Sequence, residues 1–188
     1  MNIDRFSYAQ LTLHPVEQPD IPVVQSILDH APYYHTTIVQ YSPAGIAQRC
    51  FDSPPPEVKN SRVFKRFFVV HDATRENLPV AAVDLFVGYP NYKIASIAMC
   101  VVREDCQRKG IGTRLLTGTL PAFLREYHPA VQTLSVSLTD NNVPALRCLL
   151  KCAYTRTDQW EKLDINGRPI IALTYRRNLS DMLDKPEQ

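Results

Sequence analysis

The stretch Val101-Val102-Arg103-Glu104-Asp105-Cys106-Gln107-Arg108-Lys109-Gly110-Ile111-Gly112-Thr113 runs from an apolar strand through a basic, glycine-punctuated turn into a helix. That order makes an anion cradle. The first amides of a helix lack intrahelical acceptors and carry a partial positive charge. The glycines let a ligand approach the backbone, and Arg108 and Lys109 add full charges. An ordinary strand-to-helix loop has the same texture, so the neighbouring elements must decide between the two.

Upstream, Ile94 to Val102 reads as a strand, separated by Gly88-Tyr89-Pro90-Asn91 from an earlier apolar strand, Val80 to Val87. Phe67 to Val70, with the chain from Phe64, gives a third strand, and the polar turn Asp72 to Asn77 joins it to Val80–Val87 as a hairpin. Downstream, the helix opened at Gly110 carries Ile111, Leu115, Leu116, Phe123 and Leu124, with Gly118 and Pro121 weakening or kinking its middle. Thr133 to Leu138 alternates strictly, as a half-buried strand does. Asp140-Asn141-Asn142 then offers helix caps, Pro144 suits a first turn, and Ala145, Leu146, Leu149 and Leu150 form an apolar face. Trp160–Leu163 and Ile170–Tyr175 flank a six-residue turn region, Asp164 to Pro169, as an antiparallel hairpin.

The N-terminal third is less regular. Ser7 to Leu13 alternates as one strand that Pro15 ends. Asp20 caps a helix bearing Ile21, Val24, Ile27 and Leu28, which stops before Pro32, and a short helix follows from Pro43 to about Cys50. Ser53-Pro54-Pro55-Pro56 is an extended link. The order predicts one α/β (α+β) domain over 1–188, with a mixed, mostly antiparallel central sheet flanked by helices. Its core spans about 64–177, a strand and helices fill 1–60, and 178–188 reads as a flexible tail.

Composition narrows the function classes. The chain has 188 residues, 45% apolar and 21% charged, with 21 basic against 19 acidic side chains and a net charge of +2. So even a balance predicts neither nucleic-acid nor membrane binding, and any anion recognition must be local. Cys50, Cys100, Cys106, Cys148 and Cys152 form no CxxC pair or secreted framework, which fits reduced thiols in a cytoplasmic protein. Cys148 and Cys152 are spaced i, i+4, but no partner lies at zinc-site spacing, so no metal is expected. The N-terminus has no basic and apolar leader pattern, and no apolar run approaches a membrane span.

Gln107-Arg108-Lys109-Gly110-Ile111-Gly112 resembles the signature of the GNAT superfamily of acyl-CoA N-acyltransferases, Gln or Arg-x-x-Gly-x-Gly/Ala after the fourth sheet strand. Asn142-Val143-Pro144-Ala145, with Ala153-Tyr154 after the helix, matches a second element of that family. The resemblance implies acetyl-CoA as co-substrate in a V-shaped opening between Ile94–Val102 and Thr133–Leu138. Its pyrophosphate would rest on the stretch Gln107, Arg108, Lys109, Gly110, Ile111, Gly112 and Thr113, and its pantetheine arm would pair with the backbone of Cys100, Val101 and Val102. Asn142 and Ala145 would border that arm, with Asn142 also able to cap its helix. The N-terminal helices would cover an acceptor site, where Tyr33, Tyr34 and Tyr89 offer faces and hydroxyls or serve as packing residues.

The implied reaction is attack of a primary amine, on a small molecule or peptide, on the thioester. It calls for a base, an oxyanion stabiliser and a proton for the leaving thiolate. The position where many relatives carry a thiolate-protonating tyrosine is Leu149 here, and the strand position that bears a glutamate in some relatives is Ser96. Tyr154 is the replacement candidate acid. Asp84 is the candidate base because it interrupts an apolar strand, where a carboxylate must be paired or face a cavity, with His71 and Glu104 behind it. The alternative is a catalytically weak acyl-CoA-binding regulatory or interaction module, favoured by Leu149 and Ser96. Nucleotide binding without CoA ranks behind both, because Lys109 precedes Gly110 and spoils Walker-type spacing. A homodimer is compatible with the sequence.

Overall fold

The computed structural model describes residues 5–39, 42–59, 62–165 and 167–182. Its strands are β1 (Phe6–Tyr8), β2 (Leu11–Pro15), β3 (Phe64–Asp72), β4 (Leu78–Val87), β5 (Ile94–Val102), β6 (Thr133–Thr139), β7 (Thr155–Ile165) and β8 (Arg168–Asn178). They form one eight-stranded sheet in the order β1-β2-β3-β4-β5-β6-β8-β7. Every neighbouring pair is antiparallel except β5 and β6. This is the mixed, mostly antiparallel sheet that the order of elements predicts.

Helices α1 (Ile21–Asp29) and α2 (Ile46–Asp52) cover one face. There Ile21, Val24, Ile27, Leu28, Ile46 and Ala47 pack on Phe67, Val69, Ala82, Met99 and Val101. The other face carries α3 (Ile111–Arg114), α4 (Leu120–Tyr127) and α5 (Val143–Lys151), and holds the larger core around Phe68, Val83, Leu85, Ile97, Leu115, Phe123 and Leu138. Residues alternate between the two clusters along β3 and β4, so both faces of the central strands are buried. That explains why these strands read as continuous apolar runs.

Local chemistry departs from the sequence reading at several points. The expected single strand over 7–13 is two strands folded at Ala9 (φ 50°) and Gln10 (φ 63°), a left-handed pair with none of the usual turn residues. Asp20 does sit at the start of α1, but its carboxylate accepts from the Glu17 N–H at 2.9 Å instead of capping α1. Tyr34–Val39 forms a wide π-helical strap after α1. The helix opened at Gly110 breaks as expected around Gly118: a π-helical turn, Leu115–Thr119, separates α3 from α4, and Pro121 falls in the first turn of α4. A Cβ on Gly118 would lie 3.2 Å from the Tyr8 ring, so β1 packs where a side chain would be.

The final hairpin has longer strands and a tighter connection than the six-residue turn expected, since β7 runs to Ile165 and β8 starts at Arg168. The tail expected from 178 instead begins with the turn Ser180–Met182, which buries Leu179 and Met182, while 183–188 lie outside the described residues. One ion pair fastens the frame. The buried Asp72 carboxylate accepts from Arg114 at 2.8 Å and from the amide and hydroxyl of Thr74 at 3.0 and 2.7 Å. Burial alone would raise this carboxyl, but the bonds from Arg114 and Thr74 outweigh it and hold it below its ordinary value.

Candidate active site

The site begins where the sheet comes apart. β5 and β6 pair in parallel only from Ile94 opposite Thr133 to Ile97 opposite Val136. Past that point β6 stays bound to β8 along its whole length. β5 follows β4 instead, through a bulge in which Ala98 has no partner between the Ile97–Leu85 and Met99–Asp84 pairs. A bulge bends its strand and increases the local twist, so it steers β5 away from β6. Among the described residues, the outer edge of Ala98–Val102 therefore lacks a neighbouring strand.

That free edge leads directly into the basic loop. A short turn, Glu104–Cys106, buries Cys106, and Gln107 donates from Nε2 to the Val102 carbonyl at 3.0 Å, tying loop to strand. Left-handed backbone at Arg108 (φ 60°) and Gly110 (φ 78°) curls the loop before α3, a conformation that gathers successive N–H groups into an anion-binding concavity. Nothing lies within 4 Å of where a Cβ on Gly110 would stand, so the space above it is open. Gly112 serves a different purpose, because its Cβ would come 3.3 Å from Cys148 Sγ and keep α3 off α5. Arg108 and Lys109 are exposed; Lys109 Nζ donates to the Asp105 carbonyl at 2.8 Å.

Cys100 lies in the stretch of β5 beyond its pairing with β6. It is exposed, yet the protein around it pushes its thiol up to about 12, with Cys148 adding to the effect. On α5, hydrogen bonds from Cys152 and Thr113 lower the Cys148 thiol against the opposing effect of burial. Asn142 caps α5 by accepting from the Ala145 N–H at 3.3 Å. Leu149, at the expected tyrosine position, is only 2% exposed. Tyr154 is equally buried, its hydroxyl donates to the Leu116 carbonyl at 3.3 Å, and burial pushes the phenol up. Its bond is made within the core, and a raised phenol is a poorer acid.

On the α1/α2 face, Asp84 stands opposite Met99 at the bulge and is 4% exposed. Lys65 lies 3.5 Å from Asp84 Oδ2 and also donates to the carbonyls of Cys50 and Ser53. The Lys65 ammonium sits over Phe67 and Phe86, 5.8 and 6.0 Å from the ring centroids. Asp84 Oδ1 is buried with no hydrogen-bond partner among the described residues. Burial raises the Asp84 carboxyl, while Lys65 and then the Leu85 amide pull more weakly the other way. Nothing in sequence spacing signals Lys65, which comes from a different strand.

The strap closes over this face. Tyr33 donates to the Asn141 carbonyl at 3.2 Å, and Asn141 Nδ2 donates to the Thr37 carbonyl at 2.8 Å, joining residues more than 100 positions apart. Tyr34 packs against the α1/α2 core. Tyr89 is at the opposite end of the sheet, where β5 and β6 are still paired: its carbonyl accepts from Ser96 at 2.8 Å and its ring meets Phe86 edge-on. His71 bonds the Asn77 carbonyl in the β3–β4 hairpin, and Glu104 is exposed in the basic loop. Among the described residues, no group of three His, Cys, Asp or Glu is arranged to hold a metal.

The family model described as the acetyltransferase (GNAT) family matches residues 34–154, more than half of the chain. The chain belongs to that family. No curated protein matches the sequence significantly. Among solved GNAT structures, an acetyltransferase from Thermus thermophilus superposes with a TM-score of 0.65 at 20% identity, covering 90% of this chain and 97% of its own. The spermidine N-acetyltransferase of Vibrio cholerae, in complex with CoA and spermine, gives 0.68 at 17% identity, covering 94% and 99%. At these identities the likeness establishes a shared GNAT fold. No described helix is long and apolar enough to cross a membrane.

Proposed function

We propose that this GNAT protein transfers an acetyl group from acetyl-CoA to a primary amine, on a small molecule or peptide, by direct attack. The observation that carries the reading is the free edge of β5 at Ala98–Val102, which runs without interruption into the left-handed loop at Arg108–Gly110. An unpaired strand edge takes an amide-bearing chain as an added strand, and the loop takes an anion at its end. Acetyl-CoA has both parts in that order. Backbone groups of Cys100, Val101 and Val102 hold the pantetheine arm, amides from Gln107 to Thr113 hold the pyrophosphate, and Asn142 and Ala145 border the arm. Arg108 and Lys109 supply charge beside the phosphates.

Asp84 is the base. Lys65 occupies Oδ2 and leaves Oδ1 free, so the carboxylate has one fixed oxygen and one available for a proton. The amine nitrogen bonds to the thioester carbonyl carbon, its proton passes to Oδ1, and the carbon–sulfur bond breaks to release the CoA thiolate. With Leu149 in the core and the Tyr154 hydroxyl engaged by Leu116, solvent protonates that thiolate. The same two residues favour the second reading, a GNAT module that binds acyl-CoA with little turnover. All five cysteines are free, in keeping with a reducing, cytoplasmic setting.

The test follows free thiol released from acetyl-CoA with a panel of simple amines, amino acids, polyamines, aminoglycosides and peptides. Acceptor-dependent release is expected. Tight acetyl-CoA binding with no release from any acceptor overturns the enzymatic reading in favour of the binding module.

A further inference from the structure

Buried polar atoms nearly always find partners, and each exception needs a reason. Among the described residues, four buried side-chain atoms have none: His35 Nδ1, Asp84 Oδ1, Thr139 Oγ1 and Asn141 Oδ1. All four belong to the α1/α2 side of the sheet or to the strap and turn joined over it. Asp84 lies on the α1/α2 face of β4, and His35 is in the strap above that face. Thr139 ends β6 on the same face, because Leu134, Val136 and Leu138 turn to the opposite core. Asn141 follows in the turn to which the strap is tied. β4 and β6 flank β5 on its two sides, so Asp84 and the Thr139–Asn141 pair stand on either side of β5, the latter across the slot.

Their chemistry agrees as well as their place. Asp84 Oδ1 is an acceptor. Asn141 is oriented with Nδ2 donating to Thr37, which leaves Oδ1 as an acceptor. His35 Nε2 is 2.6 Å from the Leu28 carbonyl and must carry the hydrogen, so in the neutral ring Nδ1 presents a lone pair. Only the Thr139 hydroxyl can act in either sense. Unsatisfied acceptors gathered on one side of the sheet call for an occupant that brings N–H donors to more than one point. Leaving a buried acceptor unmatched costs more than one hydrogen bond returns.

We propose that the acceptor substrate carries a second N–H-bearing nitrogen, most simply as a compact diamine. One nitrogen attacks beside Asp84, and the other is held by Asn141 and Thr139 on the far side of the slot. The proposal rests on the acetyltransferase reading above and specifies its acceptor.

Straight-chain diamines of three to five carbons are compared with monoamines of equal length, by thiol release and, without donor, by thermal shift. The wild-type protein should favour a diamine by about tenfold or more in kcat/KM, as sites with unmatched polar groups reject analogues that lack the matching group. Thr139→Val, which keeps the side chain's shape, and Asn141→Leu should each shrink that ratio towards one. Equal kcat/KM for diamines and monoamines, or a ratio unchanged in both variants, overturns the proposal while leaving the acetyltransferase reading intact. A diamine-specific thermal shift with no thiol release from any amine supports the recognition and overturns the chemistry. Absence of both a shift and a diamine preference in turnover overturns the recognition.

Discussion

Replacing Asp84 with asparagine isolates the proposed base. The side chain keeps its shape and loses its charge and its proton-accepting oxygen. General-base removal typically lowers rates by about 100- to 10,000-fold, or roughly 3–5 kcal/mol of activation free energy. The fold should survive, because Lys65 keeps the Cys50 and Ser53 carbonyls. Two stability effects oppose each other. A carboxyl whose folded value is raised contributes stability below its unfolded value, near about 3.9, and loses it as pH rises through the folded value. At neutral pH the wild-type protein therefore carries a cost that asparagine lacks, while Lys65 loses its 3.5 Å partner. A net change within about 1 kcal/mol corresponds to roughly 2–4 °C in Tm at this size. The assay measures kcat for thiol release against pH with a weakly basic amine, neutral at pH 6, so that the acceptor's own proton does not mask the enzyme's. The wild-type rate should rise with pH along a limb above the ordinary carboxylate range, and Asp84→Asn should abolish that limb. A kcat within about threefold of wild type, with Tm preserved, refutes the assignment.

Tyr154→Phe should leave kcat unchanged and reduce stability by about 1 kcal/mol, the worth of one buried hydrogen bond, since the hydroxyl serves the Leu116 carbonyl; a large loss of kcat in a folded variant would restore Tyr154 as an acid. Asp72→Asn should destabilise by about 3 kcal/mol at pH 7, because it leaves Arg114 without its buried partner. With the Asp72 carboxyl lowered in the fold, its contribution is present above the unfolded value and fades as pH falls through the folded one, so wild type and variant should converge in acid unfolding curves. Cys148 should alkylate ahead of Cys106 and Cys152 at neutral pH, since its thiol alone among the three is lowered. Peptide mapping after limited iodoacetamide treatment checks the order, and acetyl-CoA should slow the reaction at Cys148.

The elements legible in the sequence are those whose cause is local. The alternation of Thr133 to Leu138, the Asn142 cap with its apolar helix, and the strand–loop–helix at Val101–Thr113 each show their structure in side-chain order, and all three appear in the fold. The left-handed turn at Ala9–Gln10 is hidden because neither residue type asks for it; pairing of β1 with β2 imposes it. The interruption of a strand by Asp84 points to a special site, yet the lysine that fixes its second oxygen comes from another strand. The strap's attachment to Asn141 joins distant segments, so no local pattern reports it. Gly112 reads in the sequence as room for a ligand, and its nearest claimant is Cys148 of a later helix.

The gap between β5 and β6 makes the protein's durability depend on its surroundings. A sheet with an unfilled position gains stability from whatever binds the folded form and not the unfolded chain. At a ligand concentration 100 times the dissociation constant, that gain is about 2.7 kcal/mol. If acetyl-CoA fills the position, metabolic supply of the donor sets how long each molecule survives as well as how fast it works. Scarcity would expose the bare edge of Ala98–Val102 to pairing with other chains.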